Sequence, residues 1–173
     1  MIFRSVALSL SLWLGVCAAG HAADRASDRF RTPSQSIQGT VYPSACAPKQ
    51  QRALRQALAG GHPLDEQAAW TLIETSLCAP ANAATLAYLD AHVPRRIDTV
   101  DADLDVETKE VVRKTPDFLK SIAAAGEAWN ASLTADKDGV TLQYYWNEAC
   151  IRGLAFEYTK GKWMLRQLSS ACD

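Results

Sequence analysis

Four cysteines, placed as two widely spaced pairs, constrain the fold of this chain more than any other feature. They are Cys46, Cys78, Cys150 and Cys172, and a fifth, Cys17, lies in an apolar N-terminal segment. If the N-terminal segment with Cys17 is cleaved off on export, an even number remains, which is typical of disulfides. Counting alone leaves every pairing open, so the local pattern around each cysteine has to choose between them.

The first 22 residues have the composition of a secretory signal peptide. Arg4 precedes an apolar run, and Gly20 and Ala22 suit a cleavage after Ala22. The run is shorter than the ~20 residues of a membrane-spanning helix, and no second long apolar segment follows. We therefore predict a signal peptide at 1–22, a mobile polar leader at 23–42, one domain at 43–173 and a periplasmic or secreted location, with no membrane span after cleavage.

The pattern between Cys46 and Cys78 predicts a helical hairpin. One helix is expected over Pro48–Leu58, a Gly-Gly-His-Pro break follows, and Asp65 caps a second helix over Glu66–Leu77. Both cysteines would then lie at the open end of an antiparallel helical pair, within the Cα separation that a disulfide needs. We predict a Cys46–Cys78 bridge.

The C-terminal segment predicts a three-stranded antiparallel meander. The runs Gly139–Trp146, Cys150–Thr159 and Lys162–Leu168 alternate with period two and are rich in aromatic and branched residues. Lys160 and Gly161 form the turn of the last hairpin. Cys150 and Cys172 would face each other if that turn carried one extra residue, so we predict a Cys150–Cys172 bridge.

Other roles for the cysteines fit the sequence less well. A zinc site needs closely paired Cys or His ligands, which are absent from this sequence, and a nucleophilic cysteine is more often unpaired and accompanied by a base. We therefore predict no metal site and no cofactor.

The middle of the chain predicts further helices and an acidic connection. Asn82 caps a third helix over Ala83 to about His92, and Thr115-Pro116-Asp117 starts a fourth, expected to extend to Ala131. Between them, Asp101, Asp103 and Asp105 are spaced like the start of a calcium loop. That loop also needs Gly at its sixth position and Glu at its twelfth, and valines stand at both. We expect a solvated acidic strand or loop.

The sequence offers no evident catalytic constellation. His62 lies in a Gly/Pro turn and His92 at a helix end, and no nucleophile elbow, phosphate loop or zinc-protease motif is present. A pair of carboxylates remains as an alternative, since glycoside hydrolysis needs only two acids at the right separation; the candidates are Glu127, Glu148 and Glu157. We lean against an enzyme and leave open a cell-wall-directed hydrolase.

Two candidate binding surfaces follow from charge and strand alternation. The first is an acidic surface formed by Asp101, Asp103, Asp105 and Glu107, suited to a basic partner. The second is an exposed sheet face with Tyr145, Arg152 and Arg166. Without Arg4, the chain has 17 basic and 19 acidic residues, and the basic ones form no stripe along the sequence. We therefore predict no binding of nucleic acid.

Together these patterns predict an α+β domain: a disulfide-clamped helical hairpin, further helices and a C-terminal meander. A helix followed by a curved sheet is similar to cystatin-like and NTF2-like domains, and this resemblance implies a fold but no function. We predict a small exported binding protein that acts by occupying a partner protein, as an inhibitor or a toxin-neutralising immunity protein does. A carrier with a small-ligand pocket between sheet and helix is the other alternative.

Overall fold

The computed structural model describes residues 34–37, 40–103 and 106–172. The predicted signal peptide at 1–22 and residues 23–33 of the predicted leader lie outside these residues. Within the described part the chain forms four helices, α1 (Pro48–Gly60), α2 (Glu66–Cys78), α3 (Ala83–His92) and α4 (Pro116–Ile122). The strands are β1 (Ser34–Ile37), β2 (Thr40–Pro43), β3 (Arg96–Asp103), β4 (Val106–Arg113), β5 (Trp129–Ala135), β6 (Gly139–Tyr145), β7 (Cys150–Thr159) and β8 (Lys162–Cys172).

Side-chain caps start three of the four helices where the sequence places them. Asp65 accepts a hydrogen bond from the Ala68 amide, Asn82 from the Thr85 amide and Thr115 from the Phe118 amide, over 3.3, 3.0 and 3.1 Å. Each cap satisfies one amide that a helix start leaves unpaired. The local sequence therefore determines where α2, α3 and α4 start.

The described strands β3–β8 form one six-stranded mixed sheet in the order β4-β3-β8-β7-β6-β5. All neighbours are antiparallel except β3 and β8, which run parallel. The α+β class is confirmed, but the predicted three-stranded meander is only part of the sheet. The acidic connection supplies β3 and β4, and a segment predicted to be helical supplies β5.

The helix predicted over 115–131 is wrong beyond Ile122. The Ala124 amide donates to the Ser76 carbonyl over 2.7 Å and the Gly126 amide to the Leu77 carbonyl over 2.8 Å, so the end of α2 takes these donors away from a helix. Ala125 and Gly126 adopt positive φ values of 52° and 85°, which an α-helix cannot continue through. The chain then pairs with β6 as strand β5.

Both predicted disulfides are present, Cys46–Cys78 and Cys150–Cys172. The first joins the residues around α1 and α2, although α1 lies mainly on β5 and contacts α2 much less. The predicted hairpin is therefore less self-contained than expected. Its helices use their apolar faces chiefly against the rest of the domain.

The extra residue that aligns Cys150 with Cys172 is not in the turn. Thr159 pairs with Lys162, so Lys160 and Gly161 form a two-residue turn in which both have positive φ, 52° and 80°. The register shifts instead between Ala155 and Phe156, where Arg166 is the additional residue on β8. The bulge was predicted correctly in kind and wrongly in place.

The helices cover one face of the sheet, which we call the helix side. Its buried residues include Val140, Leu142, Leu154, Phe156, Trp163 and Leu165. Alternate residues such as Thr141, Gln143 and Glu157 point to the opposite, outer face. This division decides where every candidate functional side chain lies.

The two edges of the sheet differ. At β5 the edge is covered, because α1 lies on that strand, Ser44 forms a bridge to Trp129 and the Ala45 amide donates to the Ala128 carbonyl. At β4, no described residue pairs with the outer edge. The β3–β4 ribbon therefore presents an open strand edge.

The described part of the predicted leader contains a short hairpin. Strands β1 and β2 pair with each other from Ser34–Pro43 to Ile37–Thr40. Tyr42 on β2 contacts Trp129, with ring centroids 5.1 Å apart. The end of the leader is thus part of the folded unit.

Candidate functional site

Strand alternation sorts the charges of the β3–β4 ribbon between its two faces. The register pairs Thr99 with Glu110, Asp101 with Thr108 and Asp103 with Val106, and the buried Thr99 identifies this set as the helix side. That side carries three acids, Asp101, Asp103 and Glu110, and no described base. The outer side carries Asp98 and Glu107 together with Arg96, Lys109 and Arg113.

The predicted acidic surface is therefore corrected in its membership. Asp101 and Asp103 share a face, but Glu107 points to the other face and forms a 2.8 Å ion pair with Lys109. This exposed pair raises the pKa of Lys109 through the Glu107 hydrogen bond and charge. Asp105 lies outside the described residues. Glu110 is the third acid on the face of Asp101 and Asp103. The strand register shows this, and the spacing in the sequence does not.

A small cavity opens on the helix side, between α4 and the β6–β7 hairpin. Its volume is ≈ 280 Å³, and Tyr144, Trp146, Arg152, Lys120 and Glu127 are among the residues that line it. This is close to the lower end of the ~300–1,000 Å³ usual for small-molecule sites. A larger depression of ≈ 380 Å³ on the outer face of the ribbon is shallow and lacks a buried unpaired polar atom.

Two contacts fix the Arg152 side chain in this cavity. Its guanidinium lies over the Trp146 ring, 4.4 Å from the centroid, in a cation–π contact. One terminal nitrogen donates to the Ser121 carbonyl at the end of α4. The Nε atom is buried and has no hydrogen-bond partner among the described residues. Arg152 is thus held in place while its buried Nε–H makes no hydrogen bond of regular geometry with a described residue.

Tyr144 places a second unused polar group in the same cavity. The side chain is 1% exposed, and its hydroxyl lies beside the Arg152 guanidinium but forms no hydrogen bond of regular geometry in the described part of the chain. Burial raises the pKa of Tyr144, and the charge of the neighbouring Arg152 guanidinium and its hydrogen-bonding contact with the hydroxyl oppose that shift. The hydroxyl therefore stays protonated at neutral pH and is available as a donor.

Replacing Tyr144 with phenylalanine is expected to leave the free energy of unfolding unchanged or raise it by about 1 kcal/mol, because a buried unpaired hydroxyl is removed. The raised pKa of Tyr144 makes the folded state keep its proton above about pH 10, where the unfolded tyrosine loses it. Stability should therefore fall as pH rises above about 10, with a slope of up to about 1.4 kcal/mol per pH unit from this group.

Urea unfolding at several pH values from neutral to strongly alkaline measures this effect. Tyr144→Phe should show a shallower alkaline decline than the wild type, while Tyr88, whose pKa burial also raises, keeps part of it in both proteins. Tyr158→Phe serves as the matched control on a half-buried tyrosine. Equal alkaline slopes in wild type and Tyr144→Phe would contradict the placement of this hydroxyl.

The residues predicted to share an exposed sheet face do not form one surface. Arg152 lies on the helix side, in the row that pairs Tyr144, Arg152 and Ser170. Tyr145 is half-buried on the outer face and stacks on Trp129 with centroids 4.8 Å apart. Arg166 is exposed at the bulge and lies 3.7 Å from the Glu157 carboxylate. Side chains alternate between the two faces along a strand, so Tyr145 and Arg152 lie on opposite faces. The bulge at Arg166 then shifts this alternation within β8.

The carboxylates named for a hydrolase are also spread. Glu127 lines the helix-side cavity, whereas Glu157 points to the outer face beside Arg166. Glu148 lies exposed in the β6–β7 connection. No group of three His, Cys, Asp or Glu residues within 34–37, 40–103 and 106–172 is placed to hold a metal ion.

Sequence reasoning found Arg152 but missed its partners. Ser121 and Lys120 come from α4, about thirty residues earlier in the chain, and no periodicity links them to β7. Tyr144 and Trp146 carry one usable signal, since strand alternation across the predicted hairpin places both on the same face as Arg152.

None of the helices in the described ranges has the length and apolar character that crossing a membrane requires.

Comparison with known proteins finds distant structural similarities at low sequence identity. No family model matches the chain, and no curated protein matches it. A NTF2-like protein of unknown function from Silicibacter pomeroyi is 12% identical, with 72% of this chain and 98% of that chain covered and a TM-score of 0.37. A protein with a cystatin-like fold from Nostoc punctiforme is 14% identical, with 63% and 91% covered and a TM-score of 0.35.

A DUF4783 family protein from Bacteroides fragilis is also similar, at 8% identity, with 60% of this chain and 95% of that chain covered and a TM-score of 0.35. At these scores the similarities support no argument about function. This chain is an α+β protein whose structural neighbours have NTF2-like and cystatin-like folds.

Proposed function

We propose that this chain is a small exported binding protein that acts by occupying a partner protein, as an inhibitor or an immunity protein does. The observation that carries the proposal is the open edge of β4, next to a face with three acids and no described base. Two disulfides agree with an oxidising compartment, where such bonds persist.

An open strand edge has unpaired amides and carbonyls that a partner strand can bind. Strand β4 is eight residues long and exposed along nearly its whole length. Val106 and Val111 are each 65% exposed, on opposite faces of the strand. A partner segment that pairs with β4 would cover one or both valines, which provides apolar area in addition to main-chain hydrogen bonds.

Charge selects the kind of segment that fits. Asp101, Asp103 and Glu110 together give the helix side of the ribbon a negative field, whereas the outer side is close to neutral. A strand with Lys or Arg at alternate positions would place its charges beside these acids and its remaining side chains on the other face. The partner is therefore expected to present a basic extended segment.

The test starts with capture of partners by the tagged, disulfide-bonded protein from the envelope and secreted fractions of its host, followed by affinity measurement with the captured protein. Reversal of two acids, Asp101→Lys with Asp103→Lys, is expected to weaken binding by about tenfold or more, about 1.4 kcal/mol. Val111→Lys should weaken it as well, because a charge replaces an apolar contact at the edge.

The matched control is Glu66→Lys with Glu148→Lys, which makes the same change in net charge at exposed positions outside the ribbon. It should leave the affinity within about twofold. Equal losses in the ribbon and control variants would reduce the interaction to net charge, and full affinity in both ribbon variants would remove the ribbon from the interface.

A further inference from the structure

We propose that the cavity between α4 and the β6–β7 hairpin binds the carboxylate group of a small ligand, with Arg152 and Tyr144 as its donors. This site shares no residue with the β3–β4 ribbon, so it stands or falls independently of the proposed protein partner. The inference depends on two neighbouring buried polar groups, neither of which makes a hydrogen bond of regular geometry with a described residue.

The first donor is the guanidinium edge of Arg152. One terminal nitrogen already donates to the Ser121 carbonyl, and the Trp146 ring covers the guanidinium plane. The Nε–H remains buried and unpaired among the described residues. In an arginine, Nε–H and one N–H of the neighbouring terminal nitrogen are parallel, which matches the two oxygens of a carboxylate.

The second donor is the Tyr144 hydroxyl. Tyr144 lines the same cavity, and its buried hydroxyl, next to Arg152, makes no hydrogen bond of regular geometry in the described part of the chain. Leaving a buried hydroxyl unpaired is unfavourable, and an unpaired group at a cavity wall is expected where a ligand supplies the missing acceptor. The rise in its pKa keeps the proton in place for donation.

The charges around the cavity favour a single negative charge on the ligand. Lys120 lines the cavity but is itself exposed and lies 3.1 Å from the Asp117 carboxylate, so water and Asp117 both weaken its field in the cavity. Glu127 also lines the cavity and adds a negative charge there. A dianionic phosphate would meet one effective cation and one like charge, whereas a monoanionic carboxylate is matched by the Arg152 fork.

The remaining lining is apolar and small. Ala123 and Ala124 form part of the wall, and Trp146, 43% exposed, lies at the rim. This leaves room for a short aliphatic or single-ring body beside the carboxylate within the ≈ 280 Å³ cavity.

The experiment is a titration of the full, disulfide-bonded chain followed by ¹H–¹⁵N NMR at constant ionic strength. The signals of Arg152 Nε–H and Trp146 Nε1–H report on the site directly. The probes are acetate, butyrate and benzoate, with benzyl alcohol as the uncharged analogue of benzoate and inorganic phosphate as the competing anion. At least one carboxylate should shift both signals saturably, and benzyl alcohol should shift neither. Phosphate should bind at least about tenfold more weakly than that carboxylate.

Variants separate the site from general effects of charge. Arg152→Lys keeps the charge but loses the fork, and should weaken carboxylate binding about tenfold or more. Tyr144→Phe should weaken it by about three- to tenfold without loss of stability. Glu127→Gln should strengthen it by about twofold. The controls Arg95→Lys and Tyr158→Phe change the same residue types outside the cavity and should have no effect.

Two outcomes overturn the proposal. One is a flat titration of Arg152 and Trp146 with all three carboxylates, or tighter binding of phosphate than of any of them. The other is unchanged carboxylate affinity in both Arg152→Lys and Tyr144→Phe. If Arg152→Lys does not fold, Tyr144→Phe alone decides, because it removes one oxygen and keeps the ring.

Discussion

Replacing Trp163 with alanine is expected to lower the free energy of unfolding by about 3–5 kcal/mol, the usual cost of truncating a buried aromatic residue. Trp163 is 1% exposed and lies where the helices meet the sheet, beside Leu72, Ile73 and Phe156. The space among these residues is too small for a water molecule, so truncation opens a cavity. The indole Nε1 also donates to the Leu64 carbonyl over 2.8 Å.

Urea unfolding followed by circular dichroism measures this loss. Trp163→Phe keeps most of the ring volume but loses the hydrogen bond, and should cost about 1–2 kcal/mol. Trp146→Ala is the matched control, since Trp146 is 43% exposed and its truncation should cost about 1 kcal/mol or less. A loss below about 1 kcal/mol for Trp163→Ala would contradict its central place in the core.

Removing either disulfide by paired Cys→Ser substitution is expected to lower the free energy of unfolding by about 3–4 kcal/mol. The bridge Cys46–Cys78 closes a loop of sequence separation 32 and Cys150–Cys172 one of 22. Closing such loops restricts the unfolded chain, and the effect grows only slowly with loop length. The two losses should therefore be similar in size.

The m-value of urea unfolding tests the physical origin of this loss. Without the bridge the unfolded chain expands and exposes more surface, so m should rise in each paired variant. The strands around Cys150 and Cys172 keep their ladder of hydrogen bonds, whereas Cys46 and Cys78 join helices that contact each other little. Hydrogen exchange should therefore increase locally at the start of α1 only when Cys46–Cys78 is removed. Losses below 1 kcal/mol in both variants would contradict the prediction.

Local signals in the sequence were enough to predict a structural element wherever a few neighbouring residues make its stabilising interaction. Asp65, Asn82 and Thr115 cap helices through amides three residues away, and Lys160-Gly161 makes a turn with its own backbone angles. The disulfides followed from the same local logic, because each pair closes a simple two-element unit. The α+β class could be predicted because these local signals mark both the helices and the strands.

Interactions between distant segments decided the rest. Residues 123–131 contain alanines and a tryptophan at helical spacing, but hydrogen bonds to Ser76 and Leu77 and pairing with β6 make them a turn and a strand. Similarly, Asp101 and Glu107 look alike in the sequence, and the β3–β4 register places them on opposite faces. Propensity is a weak local preference, and such tertiary pairing readily overrides it.

The sequence by itself determined the helix starts, the C-terminal strands, the two bridges and the acidic character of the middle segment. Only the tertiary structure decided that six of the described strands form the sheet and that no described residue pairs with its β4 edge. It also decided that Arg152 meets Tyr144, Trp146 and Ser121 in a cavity. The physical reason is range. A cap or a turn is stable through residues close in sequence, whereas a cavity is defined by side chains that approach only after the sheet and the helices have packed together.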